Sequence, residues 1–147
     1  MKLIFVRDKH MAASDLDDGR LVLQASLNDT DQILELQCIV SYPDLVIRDA
    51  SMTFLRYPGR ECLQAQSNIE KLPGLKIERG YNKKVKDVLG GSTGCVHMVD
   101  LAIEIGHVAI QAKLKRLERE TKNIGSKNKK QTWNKELQGQ CVRYKES

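Results

Sequence analysis

Four cysteines and three histidines hold most of the chain's chemical potential. Cys62 follows the Pro58-Gly59 turn, and Cys95 follows the stretch Gly90-Gly91-Ser92-Thr93-Gly94, so each falls in the first turn of an expected helix. Unpaired backbone N–H groups and the positive end of the helix dipole favour a thiolate there, the form that ligates metal or attacks an electrophile. Either cysteine can equally be a small residue filling a helix–sheet junction. His97 lies two residues beyond Cys95. Because i and i+2 point to different sides of a regular helix, the two act together only if Cys95 sits at the non-helical edge of the cap. Glu104-Ile105-Gly106-His107 spells the Glu-x-x-His pair of carboxylate-bridged di-iron bundles. Neither other histidine has a glutamate three residues before it, so the stripe Asp100, Glu104, His107, Gln111 reads as the solvent or interface side of a helix.

The elements that must position these residues change character halfway along the chain. The apolar run Leu3-Ile4-Phe5-Val6 reads as a short strand, followed by a turn through Asp15, Asp17 and Asp18 to Gly19. Three long strands are expected next, over Arg20–Leu27, Gln32–Tyr42 and Leu45–Leu55. The first pair is joined by Asn28-Asp29-Thr30-Asp31, where Asn and Asp bond their own backbone, and the second by Pro43-Asp44. Beyond Pro58-Gly59 the spacing predicts helices over Arg60–Leu72 and over residues 79–89, then a long one capped by Ser92-Thr93, with Gly94, Cys95 and His97 in its first turn, running to about Glu120. Strands first and helices second give an α+β fold: an antiparallel meander of about three long strands with helices packed on one face. Residues 1–120 are expected to form that domain. Residues 121–147 read as a basic extension, helical or partly disordered.

Composition narrows the function classes. A chain of 147 residues with 41 % hydrophobic and 29 % charged residues is an ordinary globular protein. It has neither an apolar run long enough for a membrane span nor a secretory signal, so the expected compartment is the cytoplasm, with the cysteines reduced. Phosphate-loop and nucleophile-elbow signatures are missing. Aromatic residues are only 5 %, so nucleic acid is not the expected partner. The net charge of +5 is uneven: residues 1–112 hold 13 Lys+Arg against 15 Asp+Glu, and residues 113–147 hold 11 against 4. Such a basic segment can dock an acidic protein partner or simply remain a solvated tail.

Two resemblances follow from these residues. A first strand carrying an arginine, then DGRLVLQASLND at 18–29, a Pro…Cys segment and GCVHMVDL at 94–101 resemble the uncharacterised bacterial DUF2889 family, over nearly all the chain to about residue 117. That family has no assigned activity. The order of elements is also similar, more distantly, to the NifU/IscU-type iron–sulfur cluster scaffold. That likeness sets Asp29 in place of one ligand cysteine and Asp31 on the matching aspartate. It sets Cys62 and Cys95 on the other two ligand cysteines, while Gly94 stands where the family has histidine and His97 is the available substitute.

The resemblance implies a fold that brings Asp29, Asp31, Cys62, Cys95 and His97 to one end of the sheet, holding Zn²⁺, iron or a transient iron–sulfur cluster without catalytic turnover. Two alternatives stand beside it. One is a thiol-dependent enzyme or persulfide carrier using Cys95 or Cys62, with Asp31 or His97 as base. The other is an interaction module that docks an acidic partner through Lys113–Lys135.

Overall fold

Alternation organises the sheet. From Leu21 to Asp29 every second side chain is buried, and the same period runs through Leu34, Leu36, Cys38 and Val40. The computed structural model describes residues 1–121, 131 and 133–145. It divides into two compact units, Met1–Ile110 and Gln111–Ser147.

In the first unit four strands, β1 (Arg7–Asp15), β2 (Leu21–Asp29), β3 (Ile33–Val40) and β4 (Ile47–Arg56), form one antiparallel sheet in chain order. The meander therefore has four strands of eight to ten residues, not about three long ones. β1 escapes the sequence because the strand is not the apolar run. Leu3, Ile4, Phe5 and Val6 are exposed ahead of it, and the strand itself is the polar stretch Arg7–Asp15, with only Met11 and Ala12 half-buried. An edge strand with one neighbour buries little, so pairing with β2 places it and hydrophobicity does not. Arg7 lies opposite Asp29 and Asp15 opposite Leu21.

One side of the sheet is buried, as are rows along the helices, while Gln24, Glu35, Gln37, Ser51 and Thr53 are exposed on the other side of the sheet. After β4 the chain runs through a 3₁₀ segment, Arg60–Lys71, in place of the expected α-helix. Its side chains are committed elsewhere: Gln66 donates to the Met52 carbonyl at 2.8 Å and Asn68 to the Thr93 carbonyl at 2.9 Å. These tertiary bonds tie the segment to β4 and to the loop that follows Gly91. α1 (Tyr81–Leu89) and α2 (Val96–Glu120) follow, close to the expected spans. Along α2, Met98, Leu101, Ala102, Ile105 and Ala109 are buried. Each buried leucine contributes about 1.5–3 kcal/mol.

Gly106 lets α1 and α2 approach closely. A Cβ there would stand 2.6 Å from the Tyr81 ring, whose hydroxyl donates to the Ala102 carbonyl at 2.8 Å. Burial pushes the Tyr81 phenol above its ordinary range, reinforced by the neighbouring Cys38.

The second unit begins in the last turns of α2. Leu114 and Leu137 are buried, Lys115 lies 5.6 Å from the Trp133 ring centroid, and Lys113 pairs with Glu136 at 3.7 Å. A short 3₁₀ turn covers Val142–Tyr144. Of the basic segment Lys113–Lys135, residues 122–130 and 132 lie outside the described residues. Among the described residues no helix is long and apolar enough to cross a membrane.

Gly106→Ala is expected to lower stability by about 1–3 kcal/mol through overpacking against Tyr81. In a Gly106→Ala/Tyr81→Ala double variant, which removes the ring, the loss should be smaller than the sum of the two single losses. Urea titration of the three variants measures both quantities.

Candidate functional site

The core ends where β2 ends. Position 29 continues the inward row of β2, yet it carries a carboxylate whose side chain is wholly shielded from solvent. Every donor Asp29 needs comes from its own hairpin and the strands beside it. Arg7, opposite on β1, reaches Oδ2 through Nε at 2.9 Å and Nη2 at 2.7 Å. Across the turn, the backbone N–H groups of Asp31 and Gln32 donate to Oδ1 at 2.8 and 2.9 Å. Arg56, from the end of β4, donates to the Asp29 carbonyl oxygen. Burial alone raises this carboxyl's pKa. The hydrogen bonds from Asp31, Arg7 and Gln32 outweigh that and hold it well below the usual carboxylate range.

The start of α2 closes the cluster. Cys95 N–H donates to the Leu89 carbonyl at 2.8 Å, and the Cys95 carbonyl accepts from Val99 N–H at 3.1 Å. Cys95 is therefore the residue that caps the helix, at its non-helical edge, where Ser92-Thr93 were expected. Gly94 permits the tight approach, since a Cβ there would lie 2.1 Å from the Leu89 carbonyl oxygen. With Cys95 outside the regular helix, its Sγ comes within 4.0 Å of His97 Nδ1. The far nitrogen, Nε2, is 2.8 Å from Gln32 Nε2 and 3.3 Å from Arg7 Nη2. Burial, then the charge of Arg7, lowers the His97 pKa, while Asp29 and Asp100 act the other way. The balance favours the neutral form of the imidazole.

The five expected site residues are thus used unequally. Asp29, His97 and Cys95 join one network through Gln32. Asp31 contributes its backbone N–H and keeps an exposed side chain. Cys62 lies near the start of the 3₁₀ segment, half-buried, its N–H bonded to the Gly59 carbonyl at 3.1 Å, and no bond among the described residues ties its sulfur to the others. Arg7, Gln32 and Arg56 are partners that sequence reasoning missed. Arg7 left a trace as the arginine of the first strand, and Gln32 as the residue closing an Asx-type turn. The stripe Asp100, Glu104, His107 is surface: Lys9 of β1 bonds Asp100 at 2.9 Å and Glu104 at 3.3 Å, and His107 is exposed.

This arrangement does not fit a cation as it stands. Arg7, a permanent positive charge, occupies Asp29 Oδ2 and lies against His97 Nε2. Among the described residues no group of three His, Cys, Asp or Glu side chains is spaced to hold a metal ion. The other cysteines differ in character. Cys38 is fully buried in β3, where burial pushes its thiol up to about 12, with Asp49 adding to the effect; Cys141 is exposed.

Because the Asp29 carboxyl is more acidic folded than unfolded, its stabilisation is complete above about pH 4 and disappears as pH falls through the folded-state value in strong acid. Asp29→Asn is expected to lower stability near neutral pH by about 2 kcal/mol, with the deficit shrinking toward strong acid. Urea midpoints across a pH series measure it. Equal midpoints at pH 7 would contradict the network.

Residues 5–111 match a family model described as "Protein of unknown function (DUF2889)". No curated protein and no solved structure matches the chain.

Proposed function

The chain belongs to the DUF2889 family, and for it we propose a thiol-centred function in which Cys95 is the reacting group and His97 its partner. The single observation that carries this reading is the 4.0 Å approach of His97 Nδ1 to Cys95 Sγ at the open edge of α2. As the Cys95 thiolate attacks an electrophile, or takes the outer sulfur of a donor persulfide and displaces the donor's thiolate, the nearby imidazole and the N–H groups of the first helical turn meet the charge that changes on it. Cys95 is half-buried, accessible enough to be reached and enclosed enough to be oriented. Cys62 has no imidazole partner among the described residues, and the burial of Cys38 makes it inert.

The scaffold-like metal or cluster reading of Asp29, Asp31, Cys62, Cys95 and His97, drawn from the NifU/IscU likeness, gains support only from the meeting of Asp29, His97 and Cys95 at one end of the sheet. Arg7 stands against it, since a cation would have to displace the guanidinium or share its neighbours.

Alkylation of the native protein with iodoacetamide near neutral pH, followed cysteine by cysteine by mass spectrometry, separates these readings. Cys95 is expected to react faster than exposed Cys141 by about tenfold, an effect of roughly 1.4 kcal/mol at the transition state. His97→Ala is expected to remove that advantage, and Cys38 to stay silent until the protein unfolds. If Cys95 reacts no faster than Cys141, the thiol reading fails. Anaerobic metal analysis and an absorption spectrum on the same preparation give the other arm. Stoichiometric zinc or iron that vanishes in both Cys62→Ala and Cys95→Ala would put the scaffold reading in its place.

A further inference from the structure

Gln32 and Arg7 meet His97 on the same ring atom. The Gln32 amide nitrogen is 2.8 Å from Nε2, and an Arg7 guanidinium nitrogen is 3.3 Å from it. A guanidinium has hydrogens to give and no lone pair to offer, so on that side Nε2 can only accept. The Gln32 side is settled by its other neighbour. Asp29 Oδ2 lies 3.3 Å from the same amide nitrogen. That carboxyl also receives two bonds from Arg7 and one backbone N–H each from Asp31 and Gln32. Donors on both oxygens fit the ionised, acceptor-only form. Turning the Gln32 amide over would set its carbonyl oxygen against a buried carboxylate. The NH2 end therefore faces Asp29, and its second hydrogen falls on His97 Nε2.

We propose that Arg7 and Gln32, anchored by Asp29, are positioning residues that hold His97 in one tautomer, with Nε2 bare and the ring proton on Nδ1, facing the Cys95 sulfur. The tautomer follows from the donors around Nε2 alone; its service to Cys95 rests on the thiol reading. In this state His97 is a hydrogen-bond donor to sulfur and not the base that removes the thiol proton. The nitrogen that could act as a base is the one Arg7 and Gln32 occupy. The assignment explains why Gln32 is buried while its turn neighbours Thr30 and Asp31 are exposed.

Long-range ¹H–¹⁵N correlation spectra of the full chain, labelled with ¹⁵N-histidine and recorded at mildly alkaline pH, read the tautomer directly. The expected result is a proton-bearing Nδ1 and a bare Nε2 for His97, with exposed His10 and His107 as internal references. Gln32→Met removes one donor and should raise the share of molecules protonated on Nε2. Arg7→Met should do the same if Gln32→Met fails to fold. A proton found on Nε2 in the unaltered protein overturns the inference whatever the variants do. Alkylation gives a second readout: His97→Asn, whose amide can donate but cannot act as a base, should keep more of the Cys95 rate advantage than His97→Ala. Equal loss in the two variants counts against the donor role. A proton on Nε2 beside a fast Cys95 removes the tautomer and leaves the thiol reading standing, whereas a proton on Nδ1 beside a slow Cys95 does the reverse.

Discussion

A carboxylate shut away from water has to be surrounded by donors, and Asp29 imposes that requirement on every element around it. Its position on the inward row of β2 would otherwise belong to a leucine. Burying an ionised carboxyl there is tolerable only because Arg7, the Asp31 and Gln32 backbone and the Gln32 side chain all point at it. Arg7 fixes the end of β1 against β2, and the backbone bonds fix the turn into β3. Arg56 brings in the end of β4 through the Asp29 carbonyl. One buried charge thereby sets the pairing at one end of the sheet, where apolar packing runs out.

The same donors reach past Asp29 to His97. Gln32 has two amide hydrogens and divides them between the carboxylate and the imidazole, and Arg7 spans the same pair. The link from a sheet position to a helix cap is thus made by side chains whose first duty is to satisfy the carboxylate. Cys95 enters from the opposite direction, through the glycine-rich loop that lets it leave the helix and turn its sulfur toward Nδ1. Folding requirement and candidate chemistry share their residues, which is why substitutions that loosen the hairpin should also be felt at the sulfur.

Much of the fold was legible because burial writes a period into the sequence. The alternation of Leu21, Leu23, Ala25 and Leu27, and the near-continuous apolar stretch after Val96, gave β2 and α2 within a residue or two. β1 was displaced because an exposed edge strand carries no such period, and the true strand begins where the apolar run stops. The 3₁₀ segment was missed because the spacing of Cys62, Ala65, Ile69 and Leu72 does not tell α from 3₁₀ winding. The site was half legible. Local chemistry exposed Asp29 as a turn residue and Cys95 with His97 as a helix-start pair, all short-range signals. Arg7 was legible only as the arginine of a first strand, and Arg56 not at all, because strand register, a long-range property, brings both to Asp29. Cys62 carried the same local signal as Cys95 but lacks the partner that gives the signal meaning.

The most direct test of a shared network is energetic coupling between its two ends, the carboxylate and the imidazole. Asp29→Asn, His97→Ala and the double variant, compared by urea unfolding near neutral pH, form a double-mutant cycle. A coupling energy of about 0.5–3 kcal/mol is expected for residues joined through Gln32 and Arg7. Additive losses, agreeing within about 0.3–0.5 kcal/mol, would mean that Asp29 and His97 fold independently and that no single carboxylate organises this end of the protein.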